Sequence, residues 1–537
     1  MITTVNDGPS FLCRSGRTAR VSAARPKGVI STEPVSRRAP SQVRQVRRAP
    51  SARSGGADPS AVRLSWPGRL WRADDASTPT SAPGKTLRAV EIAGGGSARH
   101  RLVHGDGLDV LGALEREGLG GEVDLVYVDP PYASDRDYVA EARLDGPADG
   151  RALRTLAYGD RWSQERGGVG AYLDMLAPRL EALTRLLSPR GTIWVHLDWR
   201  AAYLVRAILD EILGRDAFKN EIVWRRAPNL GRQAASGQFG RTLDTIIVYG
   251  REHATLRPPT RLEPIEPNAI RWDGDGRPFT SAPRGDYTDA SIAKLEAEGR
   301  VHRTSTGRVY IKYFLVKNAE GVLCRERRVD ALWTDVPPLR HAVSSERTGY
   351  PTQKPVALLE RIIACATEPG ALVVDAFAGS GTTGVAAHTL GRRAILVDAS
   401  PVAIATARAR LLRANAPLSV ESAEGTKAPE GKGVKVAVKG SSVRLLAPTE
   451  PLAWAVGTEH DGVFHAVWHA ERVPGTKPVP ATLEAQLPDV APSNLRVRVF
   501  WDDGSVGTWA ARRSASALQT GPGAKAKSEE QAGGATS

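Results

Sequence analysis

Apolar positions recur in two stretches of the chain, with polar ground before, between and after them. In the first stretch, Val123–Val128 is a nearly unbroken apolar run of strand length. That pattern fits a strand covered on both faces of a parallel sheet. Residues 102–111 read as a short strand, a Gly-Asp-Gly turn and the start of a helix. Leu173, Leu176, Leu180, Leu183 and Leu187 recur at helical spacing and predict an amphipathic helix over 172–187. Pro189-Arg190-Gly191 stops it, and 192–197 reads as the next strand. A helix over 201–213 and strands over 221–224 and 245–249 follow. Periodicity then fades from 251 to about 340, where Pro, Gly, Arg and Asp abound and 311–316 is the best strand candidate. Alternation resumes with a helix at Val356–Ala366, a strand at Leu372–Asp375, a helix at 382–390, a strand at 394–398 and a helix at 401–415.

Strands and helices alternating on this scale predict an α/β fold: a doubly wound, mostly parallel sheet covered on both faces. At 537 residues the chain is too long for one ordinary core, so two or three folded units are expected. Residues 1–86 lack apolar periodicity and read as a disordered basic segment. The α/β core then divides into 87–250 and 341–416, around an insertion at 251–340. A linker at 417–441 leads to a small β module at 442–513, where hairpin signals surround Asp503-Gly504. The tryptophans of this module, Trp454, Trp468, Trp501 and Trp509, read as a core rather than a binding face. Residues 514–537 read as a disordered tail.

Charge changes this picture only at one end. The formal net charge is +14, yet residues 1–90 hold 16 Lys/Arg against 5 Asp/Glu. The basic excess therefore belongs to the N-terminal segment, which reads as a solvated tail with the chemistry to bind a polyanion. No apolar run reaches membrane-spanning length, and no apolar core follows the first basic residues, so neither a membrane span nor a secretory leader is expected. Cys13, Cys324 and Cys365 stand far apart, with neither zinc spacing nor a disulfide framework, which suits the cytoplasm. His196, inside an apolar strand, reads as a packed core histidine. His465 and His469 fall on a strand and do not read as a metal pair.

The candidate chemistry lies at the ends of two apolar runs. Gly379-Ser-Gly381-Thr382-Thr-Gly384 matches G-x-G-x-x-G between a strand and a helix, and Asp398 closes the next strand. Taken alone this is the fingerprint of a dinucleotide site, and an adenosine-bearing methyl donor would need the same glycines and the same carboxylate. Flanking residues separate the two. Asp375-Ala-Phe377-Ala-Gly379-Ser-Gly381-Thr382-Thr resembles the S-adenosylmethionine (AdoMet) loop of DNA amino-methyltransferases, and Thr352-Gln353-Lys354-Pro355 resembles the segment that precedes that loop. Asp129-Pro130-Pro131-Tyr132, at the end of Val123–Val128, resembles the catalytic motif of the same family. Catalytic motif before cofactor loop is the order of its beta group.

This resemblance implies a Rossmann-like core that uses S-adenosyl-L-methionine, with Lys354, Pro355, Asp375, Phe377, Gly379, Gly381, Thr382 and Asp398 around the cofactor and Asp106 near its adenine. Asp129, Pro130, Pro131 and Tyr132 would hold a flipped base. An exocyclic amine is a poor nucleophile because its lone pair is delocalised into the ring. Asp129 and the carbonyl of Pro130 can each accept one N–H and localise that lone pair, while Tyr132 offers a face for stacking. The methyl donor supplies the reactive group, so no metal is needed. Asp as the first motif residue leans towards N6 of adenine, with N4 of cytosine as the alternative. A non-catalytic nucleic-acid-binding subunit and a nicotinamide enzyme are the competitors from other classes. The insertion sits where the family places its target-recognition region. There Arg271, Arg300, Arg303, Arg308, Lys312, Arg325, Arg327 and Arg328 could reach DNA. The expected partner is double-stranded DNA, with a restriction endonuclease and a homodimer left open. A glycine-spaced basic loop at 227–241 could close over phosphates, or simply be a surface loop.

Overall fold

The structure is a computed structural model that describes residues 64–66, 68–69, 85–143, 152–163, 167–228, 239–446, 451–472, 482–487 and 494–511. Most of the N-terminal segment, most of the 227–241 loop and the tail from 512 lie outside these residues. A 14-stranded sheet forms the body. Its centre is a run of parallel strands in the spatial order Leu187–Leu197, Val123–Val128, Leu372–Asp375, Arg393–Asp398, His100–His104 and Leu418–Ala423. On one flank, Leu243–Gly250 and Phe218–Arg225 add antiparallel.

Alternation along the central strands sends neighbours to opposite faces. Val126 and Val128 enter one core with Leu173, Leu176, Leu180 and Leu183 from the helix Gly168–Leu186. Leu125 and Tyr127 enter the other core with Leu358, Leu359, Ile362 and Ile363 from the helix Val356–Ala366. Val123–Val128 is thus buried on both sides, as its continuous apolar run predicts. The helix ends at Leu186, just before the predicted stop, and the strand after it is already extended from Leu187.

The insertion is more ordered than its polar sequence suggests. Thr260–Pro264, Arg271–Trp272, Pro278–Pro283, Val301–Arg303, Val309–Lys317 and Leu323–Arg328 make a separate antiparallel sheet. Phe279, Ile292, Ile311, Leu315 and Cys324 are buried there. Leu332–Trp333 then rejoins the main sheet beside Phe218–Arg225.

Two boundaries need correction. Leu418–Ala423 is no linker: it pairs with His100–His104 and with Leu87–Ala93. The later strands keep a core of their own, from Val438 to Ala511, and three of them, Lys435–Lys439, Ser442–Leu446 and Glu484–Gln486, form a separate sheet, but the others join the main one. Val463–Glu471 pairs with Leu87–Ala93, and Ala453–His460, Leu495–Phe500 and Val506–Ala510 extend the same sheet to its edge. A buried ion cluster makes this seam continuous. Arg408, on the helix Pro401–Arg413, donates to the Glu91 carboxylate at 3.0 and 3.1 Å, and both side chains are 1% exposed. Glu471 approaches Arg408 from the far strand, and Arg498 donates to the Val90 carbonyl. Trp454 and Trp501 are buried, with Trp468 and Trp509 packed on them. Packing also reaches upstream of 87: Leu64 and Trp66 lie on the core, and Trp66 Nε1 donates to Asp174. Among the described residues no helix is long and apolar enough to cross a membrane.

Candidate active site

The chain leaves Val123–Val128 towards Leu187–Leu197 on one side, and leaves Leu372–Asp375 towards Arg393–Asp398 on the other. The crevice between two such strands is the ligand position of doubly wound sheets. Here the strands are parallel neighbours with Tyr127 opposite Asp375, and Asp124 accepts from the Leu372 N–H across 248 residues of sequence. A cavity of about 430 Å³ opens over their ends. Asp106, Asp129, Pro131, Lys354, Asp375, Phe377, Gly379, Thr382 and Asp398 line it. Pro130, Tyr132, Pro355 and Gly381 do not.

Asp129 sits at the floor with its side chain 17% exposed. The Tyr132 hydroxyl donates to its Oδ1 at 2.6 Å, and Lys354 Nζ donates to its Oδ2 at 2.5 Å. Lys354, expected beside the cofactor, lines the cavity and also holds the Asp129 carboxylate. The turn after Asp129 is unusual, because Ala133 and Asp135 take φ of 54° and 58° without being glycine. Asp160, fully buried, holds that turn. Its Oδ2 accepts from the Tyr132 N–H at 3.2 Å, the Ser134 N–H at 2.8 Å and the Ser134 hydroxyl at 2.7 Å, and its Oδ1 accepts from Trp162 Nε1 at 2.8 Å.

Behind Tyr132 lies a buried polar chain. The ring of Tyr132 is stacked with His196 at 6.3 Å between centroids. His196 Nε2 is 3.2 Å from Asp244, and Arg226 donates to the same carboxylate at 2.7 Å. Since the carboxylate can only accept, Nε2 donates to it, and Nδ1 meets the Tyr127 hydroxyl at 2.9 Å. Burial works to raise the Asp244 carboxyl, but the His196 hydrogen bond and the nearby cations leave it below its ordinary range.

The glycine loop is built by its own carboxylates. Asp375 accepts from the Phe377 N–H at 3.0 Å and from the Thr383 hydroxyl at 2.5 Å. Burial pushes its carboxyl up to about 7, with Asp129 and Asp398 adding to the rise. Asp398 accepts from the Gly379 N–H and from the Ser400 N–H, each at 2.8 Å, and burial pushes it up to about 6 against those bonds. Gly381 has φ of 75°, and a Cβ there would come within 2.8 Å of Ala407 Cβ, so the turn and the helix Thr382–Thr389 both require glycine. Thr382 acts as a strut: it donates to the Lys354 carbonyl at 3.1 Å and accepts from Arg410 at 2.7 Å. Pro355 is the N-cap of Val356–Ala366, away from the cavity. Asp106 caps the helix Gly107–Leu114 by accepting from the Leu108 N–H, pairs with Arg179 at 2.5 Å, and still faces the cavity.

Several wall residues escape the sequence patterns. Arg136–Arg143 and Ala152–Asp160 form a hairpin whose Tyr158 lines the cavity and whose hydroxyl meets that of Thr352 at 3.0 Å. Tyr138 stacks on Tyr158 at 4.8 Å. Trp162, Arg179 and Tyr350 complete the wall. Tyr350 abuts the Thr352–Pro355 motif, so proximity alone could have flagged it; Asp160 and Trp162 carry no such signal.

Residues 123–409 match the family described as DNA methylase, of the N6 and N4 type. The chain is 27% identical over 326 residues to the type II methyltransferase M.EcaI of Enterobacter cloacae, spanning 56% of this chain and 67% of that one. It is 24% identical over 303 residues to the DNA adenine methyltransferase YhdJ of Escherichia coli strain K12, spanning 56% of this chain and 79% of the relative. Among solved structures, that of M1.HpyAVI in complex with SAM aligns over 58% of this chain and 98% of its own length, at 17% identity and a TM-score of 0.33.

Proposed function

Because the chain belongs to the N6/N4 DNA methylase family, we propose that it transfers a methyl group from S-adenosyl-L-methionine to N6 of an adenine drawn out of duplex DNA. One observation supports this most: the Asp129 turn and the glycine loop end adjacent parallel strands and line one cavity.

The wall fits the proposed methyl donor. A volume of about 430 Å³ lies in the range of cofactor clefts. Asp398 is aimed by two backbone N–H groups and keeps lone pairs for ribose hydroxyls. Asp106 faces the same space with an acceptor for an adenine amine. When bound, the donor supplies an electrophilic methyl on a sulfonium. Everything else falls to the chain. Lys354 and the Tyr132 hydroxyl fix the Asp129 carboxylate, and each of its oxygens retains a lone pair. Asp129 accepts one N–H of the target amine, and the carbonyl of Pro130, which borders Asp129 but does not line the cavity of the free chain, accepts the other. The two acceptors localise the nitrogen lone pair and stabilise the positive charge that grows on it. Asp129 is the nearest base for the proton then released. Extracting the nucleotide costs a few kcal/mol, offset by stacking in the pocket.

The choice of adenine rests on Asp as the first motif residue and agrees with YhdJ being a DNA adenine methyltransferase. The test is nucleoside analysis and modified-base sequencing of DNA from a methylation-free host expressing this chain. N6-methyladenine at a defined site is expected. N4-methylcytosine would overturn the base, and unmodified DNA would overturn the reading. Asp129→Ala should abolish transfer while leaving AdoMet binding largely intact.

A further inference from the structure

The edge of the sheet beside Asp129 carries a feature that methyl transfer itself does not use. Leu187–Leu197 runs parallel to Val123–Val128 with Val195 opposite Val128, so the chain emerges from it next to the Asp129 turn. The residues that follow are Asp198, Trp199 and Arg200. The Asp198 carboxylate accepts from the Arg200 N–H and pairs with its guanidinium, and the Asp198 carbonyl accepts from Ala201 and Ala202. This short turn is therefore held from within. It presents Trp199 48% exposed, with the guanidinium carbons of Arg241 and Arg200 at 4.2 and 5.0 Å from the ring centroid. Tyr203 and Leu243 are exposed on the adjoining elements, at 71% and 45%. Large apolar side chains left exposed on adjoining elements suit an interaction surface. An aromatic ring with guanidinium groups lying over it, which a phosphate can draw away, suits a ligand with flat bases and a phosphate backbone.

We propose that this rim seats duplex DNA beside the target nucleotide. Trp199 stacks on the bases uncovered when the target leaves the helix, and Arg241 takes a flanking phosphate. The inference rests on the methylation reading. Extraction strips stacking from the neighbouring bases, and an indole on a turn held beside Asp129 restores it. Flexible cations alone would supply affinity without favouring the opened duplex.

The test uses the full chain and two duplexes carrying the site mapped by modified-base sequencing. One is fully paired; in the other the target faces an abasic position, so no base pairing opposes extraction and the extracted state is favoured at the outset. For Trp199→Ala, the loss in kcat/KM on the paired duplex should exceed the loss on the abasic duplex at least ~10-fold. Trp199→Phe should fall between, and it carries the comparison if the alanine variant loses its thermal transition. Arg241→Ala should weaken duplex binding and reduce the salt slope by about one. Equal losses on the two duplexes, or no loss on either, would overturn the proposal. Failure of the unaltered chain to methylate either duplex would instead overturn the methylation reading on which it stands.

Discussion

Replacing Asp160 should cripple the chain without emptying its cofactor pocket. Asp160→Ala removes one acceptor from the Tyr132 N–H, the Ser134 N–H, the Ser134 hydroxyl and Trp162 Nε1 together. The site is fully buried, so those donors are not freely rehydrated. Hydrogen bonds to a charged group contribute roughly 1.5–3 kcal/mol each and do not add independently. The two backbone bonds act directly on the turn that carries Tyr132, itself held at positive φ by Ala133. Losing the turn's preferred geometry is expected to cost about 2–4 kcal/mol in the transition state, roughly 30- to 1000-fold in kcat. Asp160→Asn should be milder. Its carbonyl can serve the three donors now on Oδ2, leaving its amide against Trp162 Nε1 alone. Neither change touches the glycine loop, so AdoMet affinity by calorimetry should shift by less than about threefold. Steady-state methylation of a site-bearing duplex, read beside that calorimetry, gives the split. An alanine variant within threefold of the unaltered kcat would refute the reasoning, as would an asparagine variant no milder than alanine.

Two further outcomes follow from buried charge. Asp375 holds its carboxyl proton in the folded chain up to about pH 7, whereas the unfolded chain loses it near its ordinary value of 3.8. The stability it contributes is complete at low pH and is lost as pH rises through that window. Asp375→Asn should therefore flatten the decline in thermal midpoint between about pH 5 and pH 7; an unchanged slope would exclude Asp375 as its source. Glu91→Ala leaves Arg408 buried against Glu471 at 3.8 Å, a weaker partner. A loss of about 3–5 kcal/mol in denaturant midpoint analysis is expected, and a change below about 1 kcal/mol would show that water or Glu471 compensates.

Most core helices and central strands were legible because each is a local apolar pattern; Leu418–Ala423, whose sequence mixes Ser and Glu among its apolar residues, read as linker instead. Val123–Val128, Val356–Ala366 and Leu372–Asp375 appear at their predicted bounds. The two motifs were legible as chemistry, and their meeting in one crevice follows from parallel pairing. The hairpin at Arg136–Arg143 and Ala152–Asp160 was not, because charged and apolar residues mix along it in no clean alternation, although Ala140, Ala157 and Tyr158 pack against Tyr350, Val402 and Ala403. Lys354 was assigned to the cofactor because its motif precedes the glycine loop; its contact with Asp129 spans 225 residues and leaves no local trace. The seam to the last strands was hidden for a similar reason. Glu91 and Arg408 look like surface charges until the fold brings them together across 317 residues.

That seam ties the farthest part of the chain to the loop that lines the cavity. Ala407, whose methyl group closes over the Gly381 turn, is the immediate neighbour of Arg408. Strands that bear none of the motifs thus brace the helix that shapes the glycine turn. Recombination between relatives at about residue 440 would sever a shared foundation, so a viable chimaera would have to inherit the acidic strand, the arginine and the terminal strands as one unit.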